Sequence, residues 1–228
     1  ENIVLFPHTV LPLLVYEPNY VNLVLECAEK DKLMAIGLGA AEYDHQGVLQ
    51  SRYLRPYDVM TLAKPYIVQR YKDNSLYVVM KGESKIYLDR VTQYIPFILS
   101  DAALVNSRDH CHLSLEERKI HDPYILQLQN LLSSWISRQV ENDLHKNKLL
   151  GEIATPDAII NYSSFLMVED TSVKQLILES NDILEQLRFL KAVIRPYPVA
   201  RRPYQFNFTN GSAIKKFIDI ERDYRAVQ

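Results

Sequence analysis

The hydrophobic period changes partway along this chain, and that change restricts the fold more than any other feature. Up to about residue 105 the apolar residues fall in short strand-like runs. From Ser114 onward they recur at the three-and-four spacing of helices. A chain so ordered is not doubly wound α/β, where strands and helices alternate throughout. It reads as α+β: an N-terminal curled antiparallel β-sheet or pseudo-barrel with one inserted helix, followed by a C-terminal helical bundle. At 228 residues the chain holds one large domain or two small ones. The period divides it into a β-rich part at 1–108, a helical part at 109–194, and a tail at 195–228 expected to be an extended strap plus a short helix.

Within the β-rich part, the apolar run at 3–6 looks like a strand caught in mid-course, so a short piece is expected upstream. Strands are predicted at 10–16, with Pro12 marking an edge position, and at 33–38, 59–70, 76–80, 85–91 and 97–105. Lys72-Asp73-Asn74-Ser75 supplies a hairpin turn. The inserted helix starts at Glu17-Pro18, since proline suits the first helical position. Tyr20, Val21, Val24, Leu25 and Ala28 form its stripe. In the helical part, Ser114 with Glu117 is a capping box, and Pro123 is expected to divide the helix that follows. Ile125, Leu128, Leu132, Trp135, Val140 and Leu144 mark one side of a long helix. Thr155-Pro156 opens another, and Ser172 with Gln175 a third running through Leu190.

Composition narrows the chemistry. Six glycines in 228 residues is well under half the usual ~7%, and phosphate-cradling loops need glycine for close backbone approach. Gly37-Leu38-Gly39 follows a strand, but Glu42 stands where a dinucleotide fingerprint needs its third glycine. Two cysteines, Cys27 and Cys111, are too few for a disulfide scaffold and fit a reducing, cytoplasmic setting. Asp109, His110, Cys111 and His112, with His121 and Asp122, form the densest group of metal-ligand types. No second Cys/His pair follows at zinc spacing, so a polar linker is the expected role. No serine sits in a nucleophile elbow. Neither a catalytic residue nor a cofactor is expected. The net charge of −2 gives no global reason for nucleic-acid or membrane binding. The basic and aromatic tail from Arg195 to Phe208 leaves nucleic acid as a minor alternative to a strap lying over the body.

Val4-Leu5-Phe6-Pro7, Leu11-Pro12-Leu13 and Tyr16-Glu17-Pro18-Asn19-Tyr20, in that order, resemble the opening of the Lon protease N-terminal, substrate-binding domain. Residues 63–69, Val78-Val79-Met80-Lys81-Gly82, Lys85, and the helical segments at 175–179 and 184–187 continue the likeness over residues 1–193. Tyr16 stands for a usual phenylalanine, Asn19 for an arginine and Ala63 for a glycine. Nothing in the chain resembles an ATPase or Ser–Lys peptidase module, so the likeness is to a stand-alone form of the domain. The resemblance implies a PUA-like pseudo-barrel followed by helices, and a non-catalytic module that binds unfolded or damaged polypeptide. It also implies an alternative, docking of one folded partner, as the same domain does in cereblon. Pro7, Pro12, Tyr16, Glu17, Pro18, Tyr20 and Gly82 carry the family motif and are expected to be structural. Extended peptide binds an apolar groove or open strand edge, and Tyr66, Tyr71, Tyr77 and Tyr94 are the candidate peptide-facing residues.

Overall fold

The computed structural model describes residues 3–46, 49–55, 58–140 and 143–194. The chain is α+β. Strands β1 (Val10–Val15), β2 (Met34–Ile36), β5 (Val59–Arg70), β6 (Leu76–Gln93) and β7 (Leu99–Leu104) make one antiparallel sheet; β3 (Ala40–Tyr43) and β4 (Leu49–Tyr53) form a separate hairpin. Helix α1 (Pro18–Glu29) interrupts the strands. Helices α2 (Leu115–Gln139), α3 (Asp143–Glu152), α4 (Pro156–Met167), α5 (Thr171–Glu179) and α6 (Ile183–Val193) follow, with a 3-10 turn at His110–His112 before them. The strap and short helix expected after residue 195 lie outside the described residues.

The sheet is organised around β6, whose 18 residues replace the two strands expected at 76–80 and 85–91. Its first half lies between β1 and β5, its second between β5 and β7. Gly82, between the two expected strands, pairs with Ala63 at a register shift that leaves Leu62 opposite Ser84. Such bulges bend a strand without ending it. Among the described residues β1, β2 and β7 each pair on one side only, so the sheet curls but stays open. The predicted hairpin turn is present: Asn74 takes a positive φ of 65°, and Asp73 Oδ1 accepts from the Ser75 N–H at 3.0 Å.

The run at 3–6 is not a strand. Val4, Leu5 and Phe6 are an irregular segment buried in the centre of the protein. Its polar groups are satisfied by one corner. Thr9 Oγ1 donates to the Phe6 carbonyl at 2.7 Å and accepts from the Phe6 N–H, and Thr61 Oγ1 donates to the Leu5 carbonyl at 2.6 Å. Burying backbone without a ladder is tolerated only with such partners.

The helices differ from expectation in three places. Pro123 lies inside α2, which runs unbroken. Pro123 and Lys119 are both exposed, so the carbonyl left without a partner lies where water can serve it, and the buried stripe Ile125, Leu128, Leu132 and Ile136 carries the helix on. Leu144 belongs to α3, because α2 ends at Gln139. The third helix is two helices. Asp170, not Ser172, caps α5, accepting from the Ser172 and Val173 N–H groups at 2.8 and 3.1 Å, and Asp182 caps α6 with an acceptor bond from Leu184 at 2.9 Å. The capping box at Ser114 and Glu117 is present. Arg108 donates to both Glu117 oxygens at 2.8 Å. The Ser114 N–H first, and Arg108 next, hold the Glu117 carboxyl down at about 2.

One hydrophobic core runs through both halves, from Val4, Leu5 and Phe6 through Val24, Leu76 and Val78 to Leu128, Ile160, Leu187 and Leu190. Each of its fully buried aliphatic side chains contributes about 1.5–3 kcal/mol. Polar contacts join the halves as well. Lys85 Nζ donates to the Ser180 and Leu178 carbonyls at 2.7 and 3.3 Å, which complements the negative C-terminal end of α5. Gln175 Nε2 donates to the Val59 carbonyl at 3.0 Å. Arg108 exchanges backbone bonds with Asn181 and Ile183.

Candidate binding groove

The groove begins from the corner that fixes β1. Phe6-Pro7-His8-Thr9 is a turn closed by the Thr9 N–H on the Phe6 carbonyl, with His8 at a φ of 67°. Pro7 at the second position and a positive φ at the third are the marks of a type II turn. The His8 N–H donates to the Gly82 carbonyl and the Gly82 N–H to the Thr9 carbonyl, both at 2.9 Å. A Cβ on Gly82 would collide with the Phe6 carbonyl oxygen. The motif residues Pro7 and Gly82 therefore hold one knot that orients β1. Pro12 lies on β1, opposite Val79, on an edge strand where a missing N–H is tolerated. Pro18 occupies the first turn of α1, whose Val21, Val24 and Cys27 are buried.

From that corner the chain walls an apolar groove of about 590 Å³. Leu13, Leu14, Tyr16 and Glu17 lead into it from β1; Tyr20, Leu23, Val24 and Cys27 come from α1. Met60 and Leu62 of β5, with Ile86 and Leu88 of β6, form its floor, and β2 and β7 supply its two sides through Met34–Ile36 and Leu99, Ser100 and Ala102. On this half of the sheet β2 and β7 are the outer strands flanking β5 and β6. The groove is thus bordered by two strands with an unpaired edge among the described residues. Its rim keeps large apolar side chains in solvent: Leu14 is 57% exposed, Tyr16 65%, Tyr20 50% and Ile98 44%. Contiguous exposed apolar surface of this kind marks interaction sites. The charged side chains among its described lining are Glu17, Glu26 and Lys32. Lys30, bonded to Glu26 at 2.9 Å, lowers the Glu26 pKa, and burial raises that of the Cys27 thiol.

Tyr16, Glu17 and Tyr20 of the family motif therefore line the groove, and Tyr20 faces its rim rather than the core. The four tyrosines on strands or strand ends stand elsewhere. Tyr66 lies opposite Val79 and packs with Val10 and Val68 over it; Tyr77 lies opposite Leu14. Tyr71 closes the β5–β6 turn, accepting at its carbonyl from Asn74. Burial, with Tyr71 next, raises the Tyr77 phenol pKa. Tyr94 is 72% exposed at the β6–β7 connection. Not one of the four is among the groove-lining side chains. Sequence reasoning missed Ile98 and Leu99, although their signal is present. Tyr94-Ile95-Pro96-Phe97-Ile98-Leu99 is six consecutive apolar residues at a hairpin connection, where polar turn residues are usual.

The other chemistry-bearing groups are held in local pairs. His110 Nε2 lies 2.8 Å from Asp122, His112 Nδ1 accepts from the Asp109 N–H at 3.2 Å, and His121 lies 3.4 Å from Lys191 Nζ. Cys111 is exposed, with Sγ 3.5 Å from His112 Nδ1. Among the described residues no three His, Cys, Asp or Glu side chains converge as metal ligands. Gly37 and Gly39 serve close packing: a Cβ would stand 2.6 Å from Met60 Cγ and 2.7 Å from the Tyr53 carbonyl oxygen, respectively. Among the described residues no helix is long and apolar enough to cross a membrane.

Comparison with known proteins agrees with this architecture. The family described as the ATP-dependent protease La (LON) substrate-binding domain matches residues 1–193. The N-terminal domain of Mycobacterium avium complex Lon protease superimposes with a TM-score of 0.57 at 15% identity, covering 86% of this chain and 94% of that one. A Lon N-terminal domain protein from Xanthomonas campestris gives 0.53 at 16% identity, covering 87% and 95%. No curated protein sequence matches the chain. With the family pattern spanning 193 residues and the same fold in both Lon domains, this chain belongs to the Lon substrate-binding domain family.

Proposed function

We propose that this protein is a non-catalytic module that holds unfolded polypeptide in the groove between α1, β2 and β7. The observation that carries the reading is the pairing of an apolar floor with two strand edges that are unpaired among the described residues. An extended chain laid there gains backbone hydrogen bonds whatever its sequence, and its alternate side chains reach Met60, Leu62, Ile86 and Leu88. A folded protein presents neither free backbone nor buried apolar side chains, so the same geometry favours the unfolded form. Tyr16, Tyr20 and Ile98 at the rim are the first contacts. The work is binding alone, and family membership in a substrate-binding domain supports it.

The test is fluorescence anisotropy of the full chain, without ATP, against a permanently unfolded fluorescent protein and its folded counterpart. Selective binding of the unfolded form, weakened at least tenfold by Tyr20→Asp or Ile98→Asp, is the expected result. Equal absence of binding to both forms contradicts it. A second reading, docking of one folded partner, is favoured by the projecting β6–β7 connection, where Ile95 is 85% exposed. It predicts a single stoichiometric partner whose capture is lost on Ile95→Ser.

A further inference from the structure

The few charged side chains of the groove are not equivalent. Glu26 is already held: Lys30 Nζ lies 2.9 Å and Lys32 Nζ 4.0 Å from its Oε1. Glu17 is not. It stands exposed at the N-cap of α1, its carboxylate accepts no capping bond, and among the described residues it forms no ion pair. Pro18 and Asn19 follow it, so no cation neighbours it along the chain; Asn19 occupies the place where the family pattern has an arginine. Tyr16 precedes Glu17 and Tyr20 is the third residue of α1, and both line the groove with half or more of each side chain in solvent. The N-cap and third helical positions are those whose side chains meet in a capping box, which makes Tyr20 a spatial neighbour of Glu17. A carboxylate beside exposed aromatic rings has the composition of a cation site. Ring faces attract an ammonium or guanidinium within about 6 Å, and the carboxylate pairs with it.

We propose that Tyr16, Glu17 and Tyr20 form a cation-binding notch at the rim of the groove, so that the module takes extended apolar segments flanked by lysine or arginine in preference to those flanked by acids. A basic side chain bound there lays its apolar stem on the tyrosine rings and its charged head at the carboxylate. An acidic side chain in the same place meets a like charge. The positive end of the α1 dipole, about half a unit, offsets only part of the Glu17 charge. At an exposed site the ring contact and the ion pair together give about threefold to tenfold in affinity, and salt weakens the pair. The inference rests on the groove being where polypeptide lies, and it adds which polypeptide.

The test is anisotropy of the full chain with two labelled peptides of one extended apolar sequence, flanked by lysines in the first and by glutamates in the second. The lysine-flanked peptide should bind about threefold to tenfold more tightly at low salt, and the ratio should shrink as salt rises. Glu17→Gln should abolish the preference, and so should Asn19→Arg, which places a cation beside Glu17; both positions are exposed, so neither change threatens the fold. Glu116→Gln, the same change of charge on exposed α2 surface, should leave the preference intact. Equal effects from Glu17→Gln and Glu116→Gln, or binding of neither peptide, overturn the notch. If the two peptides bind equally and the unfolded fluorescent protein binds as well, the client-binding reading stands and the notch fails. If the lysine preference depends on Glu17 while the unfolded protein does not bind, the notch stands and the client-binding reading fails.

Discussion

Replacing Gly82 by alanine should destabilise this protein far more than one methyl group suggests. The added Cβ meets the Phe6 carbonyl oxygen, with Thr61 Cγ2 3.2 Å away on the other side. The obstacle is backbone, not the free end of a side chain, so the turn at Phe6-Pro7-His8-Thr9 must move. Moving it breaks the two 2.9 Å bonds between Gly82 and residues 8 and 9, each worth about 0.5–1.5 kcal/mol. It also displaces Leu5 and Phe6, which are 0% and 1% exposed, and overpacking of such a site costs about 1–3 kcal/mol. The total is about 2–6 kcal/mol, or roughly 4–24 °C in Tm at this size. The assay is urea unfolding followed by circular dichroism, with Gly151→Ala as the companion. Gly151 lies in α3, and a Cβ there meets nothing within 4 Å, so the same substitution should stabilise by about 0.5–1 kcal/mol. Opposite signs support the reasoning. A Gly82→Ala variant within about 0.5 kcal/mol of the parent would refute it.

Two further outcomes follow from the helical half. Pro123→Ala restores the N–H missing inside α2 at an exposed position and should stabilise by about 1–3 kcal/mol, read as a raised urea midpoint; a lowered midpoint would mean the proline is needed there. Burial depresses the Lys85 ammonium to about 8, so between that pH and its unfolded value near 10.4 the unfolded chain binds more protons. Stability relative to Lys85→Met should therefore rise as pH climbs from about 8 to 10.4, by up to about 3 kcal/mol, and a flat difference in unfolding free energy across that window would contradict the burial.

How much of this was legible in the sequence depends on whether the signal was local. The cap at Ser114, the helix start at Pro18, the turn at Lys72–Ser75 and the edge position of Pro12 rest on residues a few positions apart, and each appears where the sequence places it. Signals that mimic local ones misled. The stretch between residues 80 and 85 reads as a gap between two strands, yet β6 runs through it; what constrains Gly82 is the Phe6 carbonyl, 76 positions away. Pro123 reads as a helix stop, yet a proline on a solvent face costs one bond that water replaces. Asp170 and Asp182 are better caps than Ser172, and only the Ser180-Asn181-Asp182 break separates α5 from α6. The β3–β4 hairpin at residues 40–53 lacks clean alternation and was not foreseen. The groove is the least legible part, since its walls come from α1 and five strands spread over residues 13–102. Tyr16 and Tyr20 were visible as motif residues, but their place at a rim depends on how the sheet curls.

Hydrogen exchange of the full chain, with and without the permanently unfolded protein, tests the central claim most directly. If the groove holds an extended segment, the amides of β2 at Met34–Ile36 and of β7 at Leu99–Leu104 gain protection on binding, while β1 and the exposed face of α2 do not change. Protection confined to the β5–β6 turn and the strand ends beside it, or none on β2 and β7 at saturating client, would contradict the account.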